Sequence, residues 1–389
     1  MRRYREAIVL AGGFGTRLAH VVPDVCKPMA PVAGRPFLRF IMDQLAAAGV
    51  ERVVVADGYR REQIECFFGT GYRGMDVVYS PEEEPLFTGG AVKQALARCE
   101  SEWVFVMNGD TWFDVDFAAI EAEAASSPDS VKAIIAVKRM RNFERYGTVG
   151  VDVNGAITAF REKRPCADGL INAGVYLVRR NALINMPIKF SLERDYFERI
   201  VGLGLLRACE CEGDFIDIGV PEDYEQAQQM LAPMARGWKL AMFDRDGTIN
   251  LDTGHLFEPE KLEFIPETVK TMARYTADPD YKVVVVTNQA GIAKGLYAEA
   301  DMRALHRFME EELERRGVRV DAWYFCPHHP DFTGLCSCRK PAPGMLLAAL
   351  LDYDAKPEEC VMYGDKPSDE SAADAAGVSF KWAGEAVRD

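Results

Sequence analysis

Long apolar runs are missing from this 389-residue chain, and none approaches the roughly 18 residues that a membrane-spanning helix requires. The opening residues, Met1-Arg2-Arg3-Tyr4-Arg5-Glu6, lack the apolar core of a signal peptide. Only a short strand-like run, residues 7 to 11, follows before a Gly-Gly pair. Excess positive charge is missing too. Lys and Arg number 46 against 60 Asp and Glu, giving a formal net charge of −14. That balance argues against a nucleic-acid or anionic-membrane partner. An acidic protein that handled phosphates would have to concentrate Lys, Arg and metal locally. There are no short repeats and no low-complexity tract. The ten cysteines are scattered except for a cluster at 326–338. This pattern leads us to expect a reducing cytoplasm, free thiols elsewhere and a metal at the cluster.

What is present is an ordinary globular composition, 48% hydrophobic and 27% charged, long enough for two or three domains. Up to about residue 230, strand-like and helix-like segments alternate. Strands are expected at 6–10, 52–57, 77–79 and 103–108, with helices at 37–48, 62–68 and 90–98. A closing helix is expected at 222–230. This alternation predicts an α/β fold, a doubly wound parallel sheet with helices on both faces. Residues 232–237, Ala-Pro-Met-Ala-Arg-Gly, read as a linker. The alternation then restarts, with strands at 239–243, 282–287 and 360–363 and helices at 267–275, 299–316 and 343–351. The expected domains are 1–232 and 238–389.

The second half opens on Met242-Phe243-Asp244-Arg245-Asp246-Gly247-Thr248. Two aspartates one residue apart at a strand end allow one carboxylate to attack phosphorus while the other handles the proton. The first half has its own motif, Leu10-Ala11-Gly12-Gly13-Phe14-Gly15-Thr16-Arg17-Leu18, after the first strand. Glycines there let backbone N–H groups approach a triphosphate, and Arg17 supplies fixed charge. Lys27-Pro28-Met29 follows, then Asn108-Gly109-Asp110 at a strand end, Glu162-Lys163, Asn172-Ala173-Gly174 and Asp217-Ile218-Gly219.

Together these motifs resemble the sugar-1-phosphate nucleotidylyltransferases, over about residues 5–230. Phe143-Glu144-Arg145-Tyr146-Gly147-Thr148-Val149 and the run Phe215 to Tyr224 resemble the heptose 1-phosphate guanylyltransferase subgroup. The resemblance implies that Leu10, Gly12, Gly13, Gly15, Thr16, Arg17 and Gly89 hold the nucleotide. It implies that Lys27 stabilises the phosphoryl group under attack. Lys163, with Glu162 and Asn172, would hold the sugar phosphate, and Asp110 and Asp217 would hold Mg²⁺. The chemistry agrees, because an anionic sugar phosphate attacking an anionic phosphorus needs cations to neutralise the spreading charge. Asp114 and Asp116 are taken as solvated loop residues. One departure stands out: where the family has Leu-Gly-Thr-x-Gly-Ala, this chain has Leu86-Phe87-Thr88-Gly89-Gly90-Ala91.

From about residue 238 the order of Asp244, Asp246, Thr287, Lys340 and Asp365 resembles the haloacid dehalogenase (HAD) phosphatases. Within them it resembles the heptose bisphosphate phosphatases and their histidinol-phosphatase relatives. The resemblance implies attack by Asp244, proton transfer by Asp246, and phosphoryl binding by Thr287 and Lys340. Asp244, Asp365 and the carbonyl of Asp246 would hold Mg²⁺. Asp252, Thr253, Gly254 and His255 would line the sugar pocket with Asn288, Gln289, Arg339 and Lys366, Arg339 taking the remote phosphate. His255 read alone fits a surface histidine equally well.

Cys326-Pro327-His328-His329 and Cys336-Ser337-Cys338 supply three thiolates and an imidazole, a closed set for structural Zn²⁺, with a disulfide as the rival reading. His328 rather than His329 matches the family's Cys-x-His spacing. The expected function is therefore bifunctional. The second domain would remove the 7-phosphate of a heptose 1,7-bisphosphate, and the first would transfer GMP from GTP to the heptose 1-phosphate. The product would feed a surface glycan such as lipopolysaccharide. The alternatives are the same chemistries on another sugar or nucleotide, or one domain serving as a non-catalytic module.

Overall fold

The computed structural model describes residues 4–383, except Phe14, Thr16, Ala19, Glu162 and Lys163. The chain divides into two compact units, Met1–Ala235 and Arg236–Asp389. None of the described helices is long and apolar enough to cross a membrane.

The first unit is built around four parallel strands in the spatial order Trp103–Asn108, Glu6–Leu10, Arg52–Ala56, Met75–Tyr79. Their near-continuous apolar sequences are those of strands buried on both faces. Alternate side chains enter two separate cores. Ala7, Val9, Val53 and Val55 join one, and Ile8, Val54 and Ala56 join the other. Fully burying a valine or isoleucine is worth roughly 1.5–3 kcal/mol, so the period-2 division fixes the strand's rotation. The helices Phe37–Ala47, Arg61–Phe68 and Phe87–Leu96 supply the crossovers.

The rest of this sheet corrects the all-parallel expectation. Cys166–Arg179 runs antiparallel to Trp103–Asn108 and to Ala133–Phe143, and Thr148–Val151 pairs antiparallel with Ile157–Arg161. The cause is the connections. Thr148–Val151 and Ile157–Arg161 are joined by a tight turn in which Asp152 Oδ1 accepts from the N–H groups of Asn154 and Ala156 and Gly155 takes φ +81°. A short turn reverses the chain, whereas a parallel neighbour needs a crossover of a dozen residues or more.

The second unit is a five-stranded, all-parallel sheet in the order Ala322–Cys326, Tyr281–Asn288, Lys239–Phe243, Val361–Gly364, Ser379–Trp382. Leu240 and Met242 enter one core, Ala241 and Phe243 the other.

Both sheets reverse their strand order beside the first strand of the unit. In unit one the reversal lies between Glu6–Leu10 and Trp103–Asn108, with Leu10 opposite Asn108. In unit two it lies between Lys239–Phe243 and Val361–Gly364, with Phe243 opposite Tyr363. The crevice at the carboxyl ends of the strands at such a switch point is where α/β sheets bind ligands. The glycine-rich loop and Asp110 follow one pair of strands, and Asp244 and Asp365 follow the other.

Candidate active sites

In unit one, Gly109 donates its N–H to the Leu10 carbonyl at 2.8 Å, which closes the crevice floor. Asp110 then faces Lys27, whose Nζ lies 2.6 Å from Asp110 Oδ2 and 3.4 Å from Asp217 Oδ1. Two glycines make this convergence possible. A Cβ on Gly15, which has φ +59°, would stand 2.8 Å from Lys27 Cβ. One on Gly219 would stand 2.9 Å from Asp217 Oδ1. Burial first, and then the neighbouring Asp110, push Asp217 above the usual carboxylate range against the pull of Lys27. Two carboxylates thus share one lysine, and a divalent cation would relieve the excess negative charge; the donor set fits Mg²⁺.

Around this centre, Gly13 is exposed with open space about it, and Arg17 is exposed. Gly12 faces Glu82, whose Oε1 would lie 2.3 Å from an added Cβ. Glu82 Oε2 accepts from the Leu86 N–H at 2.8 Å, and burial holds its carboxyl above the usual range. Asn172 bonds Tyr176 and the Gly174 N–H. Gly89 is buried, its N–H goes to the Phe190 carbonyl at 3.0 Å, and a Cβ there would stand 2.3 Å from the Phe190 ring. Asp116 is also more than a solvated loop residue, because it caps the helix Phe117–Ser126 by accepting from the Ala119 N–H. Thr16, Glu162 and Lys163 lie outside the described residues. Sequence reasoning missed Glu193, which accepts from Thr88 and Ser191 hydroxyls at 2.8 and 3.0 Å and ties the start of helix Phe87–Leu96 to Tyr176.

In unit two the centre is largely buried. Asp244, Thr287, Gln289 and Lys340 are buried. Lys340 Nζ is 2.7 Å from each of three acceptors: Asp244 Oδ1, the Val286 carbonyl and Asp369 Oδ1. An ammonium has three N–H donors, so all are spent on protein. Lys340 therefore offers a phosphoryl group its charge rather than a free hydrogen bond. Burial, with Asp369 and Asp246 reinforcing it against Lys340, pushes Asp244 up to about 6. Asp369 was not singled out from the sequence. It sits in the first turn of the helix Pro367–Ala376, where its Oδ2 accepts from the N–H of Lys366, the residue after Asp365, at 3.1 Å.

Asp244, Asp365 and Asp369 bring ligand atoms within 4.8 Å of one another. Asp365 Oδ1 is buried without a hydrogen-bond partner. Gly247, at φ +94°, leaves room for that carboxylate, since a Cβ would stand 2.1 Å from Asp365 Oδ2. An orphaned anionic oxygen beside two more carboxylates fits a hard divalent cation. Asp246 receives both Arg245 and Gln289. Asn288 and Lys340 exchange two hydrogen bonds, amide to carbonyl at 3.0 Å and N–H to Oδ1 at 3.1 Å. Asp252 pairs with Lys366 at 2.9 Å, and Thr253, Gly254 and His255 sit exposed on the same loop. His255 Nε2 lies 3.3 Å from Lys294 Nζ.

The four candidate zinc ligands converge. Cys326, His328, Cys336 and Cys338 lie within 4.8 Å of one another, with sulfur–sulfur separations of 3.2 to 3.6 Å. Tetrahedral Zn²⁺ with Zn–S bonds of about 2.3 Å places its sulfurs about 3.8 Å apart. All three cysteines are free thiols. His329 turns away and caps the next short helix. Arg339, half-buried, donates to the His328 carbonyl at 3.2 Å.

Two switch-point crevices, each gathering carboxylates around a lysine, define an α/β protein with two phosphate-handling centres. A nucleotidyl transferase family model matches residues 6–232, and a HAD-hydrolase-like model matches 337–382. The chain belongs to the nucleotidyl transferase family through its first unit and to the HAD phosphatases through its second. The first unit is 41% identical over 221 residues to D-glycero-alpha-D-manno-heptose 1-phosphate guanylyltransferase of Campylobacter jejuni, 56% of this chain and 96% of that protein. The second is 42% identical over 153 residues to D-glycero-beta-D-manno-heptose-1,7-bisphosphate 7-phosphatase of Escherichia coli, 38% of this chain and 80% of that protein. HddC from Yersinia pseudotuberculosis, crystallised with GMP-PN, superposes with a TM-score of 0.53 at 32% identity, over 58% of this chain and 99% of that one.

Proposed function

We propose that the chain carries out two consecutive steps of GDP-heptose synthesis. Unit two removes the 7-phosphate of D-glycero-D-manno-heptose 1,7-bisphosphate. Unit one transfers GMP from GTP to the resulting heptose 1-phosphate and releases pyrophosphate. One observation carries this reading: relatives of the two units are named for a phosphatase and a transferase whose product and acceptor are 1-phosphates of the same heptose. Those names differ in anomer, alpha for the transferase and beta for the phosphatase. A two-step sequence in one chain needs a single anomer. The acceptor sets it, so unit two would act on the α-bisphosphate.

In unit two, Asp244 attacks the phosphorus of the 7-phosphate and the bond to the sugar oxygen breaks, with Asp246 giving that oxygen its proton. Asp246 then takes a proton from water as the aspartyl phosphate is hydrolysed. Lys340 balances the charge of the transferring phosphoryl group, Thr287 binds its oxygens, and Arg339 receives the remote phosphate. Asp244, Asp365 and the Asp246 carbonyl would hold Mg²⁺, which supplies further charge neutralisation when bound. Cys326, His328, Cys336 and Cys338 would hold a structural Zn²⁺.

In unit one, Lys27 and Arg17 neutralise the triphosphate, Asp110 and Asp217 would hold Mg²⁺, and Lys163 the sugar phosphate. Glu82 reads the base. Its carboxylate sits against Gly12 of the nucleotide loop and can accept from guanine N1 and N2, donors that adenine does not present together. The reactions would take place in the cytoplasm on small molecules, where the scattered cysteines stay reduced, before the glycan reaches a surface such as lipopolysaccharide.

The test is a product assay with α- and β-heptose 1,7-bisphosphate and each nucleoside triphosphate in turn. GDP-heptose from the α-bisphosphate and GTP is the expected result. Equal or better turnover with ATP, CTP or UTP would overturn the guanine assignment. Dephosphorylation of a different sugar phosphate in preference would overturn the heptose assignment and leave the two chemistries standing.

A further inference from the structure

Arg245 stands between the two aspartates of the second centre, and it is the largest fully buried side chain in the described structure. Burying a guanidinium costs several kcal/mol unless its charge and donors are met, and an apolar residue of similar size often gives a more stable fold. Four of the five N–H groups of Arg245 are met. Nε donates to Asp246 Oδ1 at 3.0 Å, and Nη2 to Asp246 Oδ2 at 2.8 Å and to the Leu256 carbonyl at 2.9 Å. Nη1 reaches His306 Nε2 at 3.2 Å.

Arginine can only donate, so His306 Nε2 accepts and the imidazole proton sits on Nδ1. Burial, with the charge of Arg245 behind it, holds His306 neutral, well below the usual histidine range. The ring is fixed by stacking on Trp323, 4.0 Å between centroids at 17°. Trp323 in turn donates Nε1–H to Glu310 at 2.7 Å. The Asp246 carboxylate is completed by Asn250 Nδ2 on Oδ1 at 3.1 Å and Gln289 Nε2 on Oδ2 at 3.2 Å.

We propose that Arg245, anchored from behind by His306, is a positioning residue that holds the Asp246 carboxylate for proton transfer at the phosphorylated Asp244. The proposal rests on the aspartyl-phosphate reading of this centre. Neither residue touches the reacting phosphoryl group. Arg245 fixes both oxygens of Asp246 in a plane, and His306 prevents the guanidinium from turning.

4-Nitrophenyl phosphate separates the two half-reactions. Its nitrophenolate leaves as the phosphorus–oxygen bond breaks and Asp244 is phosphorylated, and it needs no proton. Hydrolysis of the aspartyl phosphate does need Asp246 to take a proton from water. In full-length Arg245→Gln with Mg²⁺, we expect a rapid burst approaching one nitrophenolate per chain. Steady turnover should then be about 10- to 100-fold below wild type, as for a mispositioned general base. His306→Phe keeps a ring against Trp323 but removes the acceptor, and should show a smaller loss with the same burst. His306→Gln restores an acceptor and should recover turnover.

A purely structural role predicts burst and steady rate falling together with the folded fraction. That result, or wild-type kinetics in the folded variants, overturns the proposal. If Arg245→Gln does not fold, the His306 pair decides by the same criteria. Asp244→Asn is the control for the underlying reading. If it still releases nitrophenolate at the wild-type rate, the aspartyl-phosphate route itself is wrong, whatever the Arg245 and His306 variants do.

Discussion

Both centres set a lysine between two aspartates at a sheet switch point, yet they sit at opposite extremes of solvation. The side chains of Lys27, Asp110 and Asp217 are 10%, 39% and 30% exposed, whereas those of Lys340, Asp244 and Asp369 are 1%, 7% and 2% exposed. The difference follows from what each must accept. A nucleotidyl transfer assembles a triphosphate and a sugar phosphate, so most of the charge arrives with the ligands and the protein needs an open, partly hydrated rim. A covalent phosphatase route places the nucleophile within the protein. Burial there strengthens the Lys340–Asp244 attraction, because charges interact more strongly as the effective dielectric falls. It also removes competing water from the carboxylate.

The comparison breaks most sharply on Asp244→Asn. The change barely alters size, and phosphatase activity should fall by several orders of magnitude. Transfer from GTP to supplied heptose 1-phosphate should persist. Loss of both activities in a folded variant would refute separate centres. The mirror change is Lys27→Met, expected to cost transfer on the order of 10²–10³-fold while sparing the phosphatase. Measuring both rates on each variant completes the cross.

Next is the metal. Purified protein should carry about one zinc per chain, and its removal should cost the second unit several kcal/mol, a drop in its unfolding midpoint of roughly 10 °C. Metal analysis that finds no zinc, with full phosphatase activity after chelation and magnesium refill, would sink this assignment.

A smaller effect is expected at Asp57, a fully buried carboxylate in unit one with no hydrogen-bond partner among the described residues. Burial, and then Glu65, push it up to about 6. A folded pKa above the unfolded value means the native state holds the proton more tightly between about pH 4 and pH 6, so stability falls as pH rises through that window. Asp57→Asn should therefore stabilise unit one by roughly 1–3 kcal/mol at pH 7.5 and by little at pH 4. A denaturant titration at both pH values checks this, and equal gains at both would refute it.

The smallest effect is expected at Phe87→Gly. Phe87 takes φ +59° and is 60% exposed. Glycine should relieve left-handed strain for a net gain of about 0.5–1 kcal/mol. A loss of stability would mean the ring packs usefully where it stands.

Much of this was legible in the sequence because some signals are local. The candidate metal-binding cluster falls within thirteen residues, Cys326 to Cys338, and the glycine-rich loop and the Asp-x-Asp turn each lie in one short segment. The antiparallel half of the first sheet was not legible. Its pairing depends on turns such as Asp152–Gly155, and the alternation of strands and helices is silent there. Asp369, Arg245 and Glu193 were missed for a common reason. Each acts through a partner distant in sequence, Lys340, His306 and Thr88, and only folding reveals the pair. The contact of Gly89 with Phe190 was likewise silent, because a glycine beside a binding loop carries no sign of what its missing side chain makes room for.

The paired hydrogen bonds between Asn288 and Lys340 separate two neighbours that the chain joins. Lys340 is clamped to the strand Tyr281–Asn288 and to three acceptors of its own. Arg339, one residue earlier, holds on to the cysteine loop through the His328 carbonyl. Loosening that loop would free the arginine and leave the lysine in place. If the loop holds zinc and Arg339 takes the remote phosphate, as we propose, an enzyme starved of zinc would lose its ability to tell one sugar phosphate from another before it lost its ability to cleave them, and scarcity of the ion would show up as errors of selection rather than as silence.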